Sequence, residues 1–417
     1  MKITPVKGTN DYTASETKLR SYIQNEICKT YENQGFNRII TPLIEDIENL
    51  EKSDGGDNLK LIFKVLKRGD KLENTIDEKD FSHLADLGLR YDLTLPLSRF
   101  YAGNRNDLPN PFKVIQIGEV FRAERPQKGR NREFVQCDID IIGTKSVNAE
   151  IELIDTTARA LQKFNLKNFT IRINDRRILK AVLSSVGFKK EEFDSVCITF
   201  DKLDKIGTEG IKQELLEKNF SEKIVSKFCE VLNNLPKTTD ELRNICGVLP
   251  EIDEMEKIIS SINILSNGKY RIKFDLSLVR GQGYYTGAVF EIQSDDYSCS
   301  IGGGGRYDNL IGKFTNEDIS AVGFSIGFER LFALLKDQDF EIKNEQERIA
   351  VIYNKENFLN ALIFAKSIEQ PIGLFEMPKN LGKLLTMLEK NDYSGFYVLK
   401  ENEENVLKYF DKSNDKV

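Results

Sequence analysis

Between residues 114 and 142 the chain passes from one apolar, strand-like run to another through a tip crowded with cations. Val114-Ile115-Gln116-Ile117 leads in, and Phe134-Val135-Gln136-Cys137-Asp138-Ile139-Asp140-Ile141-Ile142 leads out. The stretch Phe121–Arg132 between them carries Arg122, Arg125, Lys128, Arg130 and Arg132, with Pro126 and Gly129 as loop formers. This pattern predicts a β-hairpin whose arms sit in a sheet and whose long tip is electropositive. Guanidinium forks match phosphate oxygens, so the expected ligand is a polyanion: nucleotide phosphates, nucleic acid, or both. The plainer reading, a solvated basic loop, loses ground to a second arginine-tyrosine-glycine cluster far downstream.

At 417 residues the chain exceeds one ordinary core, so two or three domains are expected. Its apolar and charged fractions are those of a globular protein. No window approaches the roughly 20 apolar residues of a membrane span. The start Met1-Lys2-Ile3-Thr4-Pro5 lacks the apolar core of a signal peptide, which makes the cytoplasm the expected location. Six cysteines occur without a C-x-x-C pair, predicting reduced, mostly buried thiols and neither a disulfide frame nor a zinc site. Net charge is -6, so any nucleic-acid contact must use local patches and be salt-sensitive. The single histidine, His83, argues against a Ser/His/Asp triad or a multi-histidine metal site and is expected to be structural.

Helical spacing of Leu19, Tyr22, Ile23, Ile27 and Tyr31 predicts an amphipathic helix over 16–34, ending at Gly35 before a strand that runs into Pro42. Strand-like runs recur at Leu61–Leu66, Leu87–Leu93, Val114–Ile117 and Phe134–Ile142, and a helix covers 149–164. The region reads as a mostly antiparallel sheet with helices, an α+β arrangement. From 176 to 262 lysine- and glutamate-rich helical patterns predict a helical insertion. Strands return at Arg271–Leu278 and Ala288–Gln293, followed by the glycine run from Gly302 and a helix over Phe328–Leu335. The expected sheet domain therefore comprises 1–175 and 263–335. After the polar linker Lys336–Glu347, alternating runs over 346–417 predict a small α/β module.

Three further segments bear chemistry. Arg280-Gly281-Gln282-Gly283-Tyr284-Tyr285-Thr286-Gly287 approaches a dinucleotide fingerprint in spacing, but β-like Ala288-Val289-Phe290 follows where a helix N-terminus would have to hold the pyrophosphate. Its glycines instead fit a turn where backbone approaches a ligand beside Arg280 and two phenols. Gly302-Gly303-Gly304-Gly305-Arg306-Tyr307-Asp308 lacks the Lys-Ser/Thr of a phosphate-binding loop and reads as a strand kept bare for a close neighbour. Gly323–Leu331 reads as a strand entering a helix, with Arg330 on the first turn.

On these motifs, together with Lys7-Gly8-Thr9-Asn10-Asp11-Tyr12, Gly35-Phe36 through Thr41-Pro42, and Arg90-Tyr91-Asp92-Leu93-Thr94, the chain resembles the class II aminoacyl-tRNA synthetases. Within that class it resembles the histidyl-tRNA synthetase family, over nearly all of residues 1–335 and more weakly beyond. The resemblance implies a class II antiparallel sheet flanked by helices, with a C-terminal domain of anticodon-binding type. It implies ATP-dependent activation of L-histidine, transfer to tRNA(His), a homodimer, and Mg2+ on the outer phosphates with no resident metal. Arg122 and Arg280 would approach the α-phosphate and the histidine carboxylate. Arg330 would clamp the distal phosphate, and Glu124 and Arg130 would contact the nucleotide. Asp92, Thr94 and Gln136 would receive the α-amino group; Asp140 and Tyr285 would receive the imidazole, with Tyr284 nearby.

Three departures qualify the transfer. Gln282-Gly283 stands where the family commonly has Leu-Asp, so no role of that aspartate carries over. Asp140 stands where many members have the longer Glu. The last segment is charge-balanced, so no anticodon-contacting residue is named. The rival reading is a non-catalytic histidine-binding regulatory subunit of ATP phosphoribosyltransferase. Retention of Arg122, Arg280 and Arg330 with a C-terminal module favours the enzyme.

Overall fold

The two arms of the basic hairpin fold as ten-residue strands because their alternation matches the pleat. The structure, a computed structural model, describes residues 3–52, 56–125, 131–166, 169–279, 285–294, 300–342, 346–400 and 405–410. The chain forms two units, Met1–Asn10 with Ile23–Gln338, and Asp11–Tyr22 with Asp339–Val417. In the first, the strands in order are β1 (Asn37–Arg38), β2 (Ile44–Asp46), β3 (Lys64–Leu66), β4 (Ala85–Leu89), β5 (Phe112–Phe121), β6 (Glu133–Ile142), β7 (Phe169–Asp175), β8 (Arg271–Phe274), β9 (Ala288–Ser294), β10 (Ser300–Arg306) and β11 (Ala321–Gly327).

Among the described residues, eight of these strands make one sheet, ordered β1-β5-β6-β11-β10-β9-β7-β8. The outer pairs β1/β5 and β7/β8 are parallel, and every pairing between them is antiparallel. The register gives the two faces opposite characters. Ile115, Ile139, Phe324, Gly304 and Phe290 form one rung, in which bare Gly304 lets Phe290 and Phe324 stack with centroids 5.0 Å apart. Helices Asn148–Gln162 and Phe328–Asp337 pack on β6 and β11 and bury Leu153, Ile154, Leu161, Leu331 and Leu335. Each such side chain contributes roughly 1.5–3 kcal/mol of burial.

The opposite face is polar. Its rungs are Gly118/Gln136/Gly327, Gln116/Asp138/Ser325/Gly303 and Val114/Asp140/Gly323/Gly305. Helices Thr94–Asn104 and Asp308–Thr315 pack on each other, and Tyr91, Leu95, Val114, Tyr307 and Ile311 share one core cluster there. The separate sheet β2-β4-β3 stands nearby in sequence.

The helical stretch is six helices over Arg176–Ser266, with an aromatic core of Phe188, Phe200, Phe220 and Phe228 meeting edge to face at 5.5–5.7 Å. In the second unit, β12 (Ile349–Tyr353), β13 (Ile372–Glu376), β14 (Gly395–Val398) and β15 (Lys408–Tyr409) form a sheet ordered β13-β12-β14-β15. Ala350 and Ile352 face helix Leu381–Lys390, while Val351 faces helix Phe358–Lys366, which is the expected α/β alternation.

Strand β7 and helix Asp308–Thr315 were not expected from the sequence, and β8 is shorter than the Arg271–Leu278 run. No helix among the described residues is long and apolar enough to cross a membrane. Cys28, Cys137, Cys197 and Cys229 are buried thiols outside any disulfide and Cys246 is a half-buried one; Cys299 lies outside the described residues.

Candidate active site

The polar face of the sheet collects the expected pocket residues, and its scaffold begins at Arg90. This buried guanidinium donates from Nη1 to the Thr41 carbonyl at 2.7 Å and from Nε to the Glu119 carbonyl at 2.8 Å. Thr41 Oγ1 donates to Gln116 Oε1 at 3.0 Å, and Gln116 Nε2 donates to the Leu93 carbonyl at 2.9 Å. A Cβ at Gly118 would stand 2.4 Å from Arg90 Nη2, so β5 must be bare there. The chain of bonds pins Leu93, and with it Asp92 and Thr94 on either side. Asp92 Oδ1 accepts the Leu95 N–H at 3.2 Å, in the first turn of helix Thr94–Asn104. Burial raises its pKa, against the opposing pull of that N–H and of Arg122.

Arg122, at the base of the hairpin, is oriented before any ligand arrives. Its Nε donates to the Tyr91 carbonyl at 2.9 Å, its Nη2 donates to Gln136 Oε1 at 3.3 Å, and its guanidinium lies 5.0 Å from the Phe134 ring centroid. Gln136 passes the polarity on, because its Nε2 donates to Asp138 Oδ2 at 3.1 Å. Asp138 is 5% exposed and stands opposite Ser325 of β11, whose hydroxyl favours its charged form. Burial pushes its pKa up to about 7, with Asp92 adding to the rise and Ser325, Gln136 and Arg122 opposing it.

Asp140, two residues further along β6, is 3% exposed and accepts the Tyr307 hydroxyl at 2.6 Å on Oδ1. Burial and then the Asp138 charge raise its pKa, while the Tyr307 bond lowers it. The glycine positions make this possible. A Cβ at Gly323 would fall 2.0 Å from Asp140 Oδ1 and 3.2 Å from the Tyr307 ring, and one at Gly305 would fall 2.8 Å from the Tyr285 ring. Thus Asp140, Tyr285 and Tyr307 gather around a rung whose β10 and β11 positions carry no side chain. Asp308 locks the loop beneath, accepting the Ala321 N–H at 3.1 Å while its own N–H donates to Thr286 Oγ1 at 3.1 Å.

Toward the hairpin tip, the Glu124 carbonyl accepts from Arg132 Nε at 3.0 Å, and the Arg132 N–H donates to Gly8 at 2.7 Å. The N-terminal Lys7-Gly8-Thr9 motif therefore meets the hairpin base. Arg330, on the first turn of helix Phe328–Asp337, donates to the Ser300 carbonyl at the start of β10. Its neighbour Glu329 accepts the Val135 N–H at 3.2 Å, which places this helix start beside Gln136. Arg122 and Arg330 thus flank the Gln136/Gly327 rung from opposite sides of β6. Arg130, Arg280 and Tyr284 lie outside the described residues.

The structure brings together Asp92, Thr94, Arg122, Gln136, Asp140 and Tyr285 and adds Asp138 and Tyr307, which the sequence reading had not assigned. Period two along β6 puts Asp138 on the same face as Gln136 and Asp140, so that signal was available. The Tyr307–Asp140 bond spans 167 residues and left no local trace. His83 is exposed, bonded through Nδ1 to Asp80 at 2.7 Å, and belongs to no pocket described above. Among the described residues no three His, Cys, Asp or Glu side chains converge as a metal site.

The model of the family described as histidyl-tRNA synthetase matches residues 8–331. A histidine--tRNA ligase of Leifsonia xyli subsp. xyli is 45% identical over 348 residues, covering 80% of each chain. A probable histidine--tRNA ligase of Tropheryma whipplei is 40% identical over 384 residues, 88% of this chain and 87% of the relative. Among solved structures, histidyl-tRNA synthetase from Nostoc sp. PCC 7120 matches with a TM-score of 0.78 at 24% identity, over 98% of this chain and 97% of that one. A Bacillus halodurans chain described as an ATP phosphoribosyltransferase regulatory subunit/histidyl-tRNA synthetase matches with a TM-score of 0.76 at 22% identity, over 93% and 97%. At these identities the two structures establish a shared fold.

Proposed function

Because the chain belongs to the histidyl-tRNA synthetase family, we propose that it activates L-histidine with ATP and transfers the histidyl group to tRNA(His). The observation that carries this reading is the single polar sheet face, with an acidic, phenol-lined end at Asp140 and an arginine-bearing end at Arg122.

In the first step a histidine carboxylate oxygen attacks the α-phosphorus, the bond to the bridging oxygen breaks, and pyrophosphate leaves with the electron pair. Two anions must meet in line, so the protein's task is alignment and charge neutralisation rather than covalent catalysis. Arg122, already aimed by Tyr91 and Gln136, is assigned to the reacting carboxylate and α-phosphate, with Arg280 as its partner. Arg330 is assigned to the distal phosphate, and Glu124 and Arg130 to the nucleotide. Magnesium would enter as the ATP complex, because its preference for phosphate oxygens and water requires no protein cage.

Asp92, Thr94 and Gln136 are assigned to the α-ammonium. A neutral imidazole offers one donor and one acceptor. Asp140 Oδ1 is committed to Tyr307, which leaves its other oxygen for the imidazole N–H, and the Tyr285 hydroxyl supplies the complementary group, with Tyr284 nearby. Side chains without both functions leave these buried groups unpaired, which costs about 10⁴-fold or more in discrimination.

Residues 346–417 are proposed as the anticodon-binding-like domain, the 176–262 helices as an insertion in the catalytic domain of 1–175 and 263–335, and the cytoplasm as the location where both substrates are met. A homodimer is proposed through the β2-β4-β3 region, where Ile40, Leu43, Ile44, Leu66 and Leu87 are exposed. The regulatory-subunit alternative has no need of the oriented Arg122. Amino-acid-dependent exchange of pyrophosphate into ATP, run across the standard amino acids, separates the two. Exchange with histidine alone supports activation, and histidine binding without exchange overturns it.

A further inference from the structure

We propose that Asp138 is a positioning and selectivity residue of the amino-acid pocket, fixing the Gln136 amide and supplying negative charge to the substrate's α-ammonium. The proposal rests on the assignment of Gln136 to that ammonium. Asp138 stands between Gln136 and Asp140 on β6, in register with Gln116 on β5 and Ser325 on β11. Gln116 accepts from Thr41 at Oε1 and donates from Nε2 to the Leu93 carbonyl. Gln136 Nε2 donates to Asp138 at 3.1 Å, and the Ser325 hydroxyl, opposite on β11, favours its charged form.

The consequence falls on Gln136. With Nε2 drawn to an anionic acceptor and Oε1 engaged by Arg122, the amide has one favourable orientation. Its carbonyl retains a second lone pair for an ammonium N–H. A protonated Asp138 would weaken that preference and remove a charge from the pocket. The charged and titratable groups facing Asp138 are Asp92 from the segment before helix Thr94–Asn104, Asp140 on its own strand and Arg122 at the hairpin base, with Arg90 and the Tyr31 phenol coupled to it more remotely. Burial pushes the pKa of this acid up to about 7. An arriving ammonium favours the carboxylate, so histidine binding near neutral pH releases a proton from this side chain.

The test is pyrophosphate-exchange kinetics of Asp138→Asn and Ser325→Ala beside the wild type. Asp138→Asn should raise the histidine KM about tenfold or more, with the ATP KM held within about twofold. It should also flatten the rise in histidine KM that the wild type shows as pH falls from about 8 to about 6. The substrate's own imidazole titrates alike with both proteins, so the difference between their profiles reports the side chain. Ser325→Ala, which keeps the carboxylate and removes one donor, should move the wild-type profile to higher pH. A folded Asp138→Asn enzyme with unchanged histidine KM and pH profile overturns the proposal while leaving histidine activation intact. If Asp138→Asn fails to fold, an unmoved Ser325→Ala profile overturns it instead. Absence of histidine-dependent exchange in the wild type defeats the activation reading, and the assignment of Asp138 falls with it.

Discussion

Arg122 is held by the Tyr91 carbonyl and the Gln136 amide, so its charge costs little reorganisation when phosphate arrives. Arg122→Ala should lower exchange turnover by ~10²–10³-fold, with a thermal midpoint close to wild type. Arg122→Lys should recover little, since an ammonium cannot donate in two directions from one plane. Near-normal turnover in either variant would remove Arg122 from the chemistry. The neighbouring carboxyls make a separate prediction about stability. Asp92, Asp138 and Asp140 all have raised pKa values in the folded protein, so folding binds their protons more tightly than the unfolded chain does. For Asp138, whose pKa is pushed up to about 7, this stability is present below about pH 4 and is lost as pH rises through about 7. Asp138→Asn should therefore be more stable than wild type at about pH 8, by on the order of a few kcal/mol, and lose that advantage near pH 4. Urea unfolding across pH measures this, and parallel profiles would refute it. At this scale Arg122, Gln136 and Asp140 were legible because the hairpin announces them. Asp138 sat in plain alternation but looked like a strand residue among others, and Tyr307 required a contact across the fold.

The glycine-rich strand β10 and its neighbour β11 do at the level of elements what the arginines do at the level of residues. A side chain at Gly323 would collide with Asp140, so Gly323→Ala should displace that carboxyl and break the Tyr307 bond. The expected cost is about 1–3 kcal/mol of stability, read by urea denaturation, with a histidine KM raised more than the ATP KM. Unaltered stability and KM would show that the rung tolerates a methyl group. The sequence displayed this element well, since four consecutive glycines before Arg-Tyr-Asp fit a bare strand better than a phosphate loop. The hairpin and the β/α alternation of the last segment were equally visible, each through unbroken hydrophobic periodicity. Strand β7 escaped because Phe169–Asp175 ends directly in the Asp175 cap of the next helix, with no turn signal between them. Helix Asp308–Thr315 escaped because its first residue closes a motif that read as strand.

For the whole molecule, the exposed apolar residues of β2, β3 and β4 bear on assembly. Ile44 is 50% exposed, Leu66 56% and Leu87 38%, a patch that a second copy of the chain would cover. Ile44→Lys with Leu87→Lys should convert the protein from dimer to monomer in sedimentation velocity. A wild-type monomer, or a dimer indifferent to both changes, would move the interface elsewhere. The Arg90–Thr41–Gln116–Leu93 chain runs from the segment preceding β2 to the backbone between Asp92 and Thr94, which are proposed to hold histidine, so loss of the dimer is expected to weaken histidine binding as well. The most direct measurement is transfer of labelled histidine to tRNA(His) by the intact chain with ATP and magnesium. Acid-precipitable label is expected with histidine, and none with other amino acids. Tight histidine binding with no label on tRNA would rule out histidyl transfer.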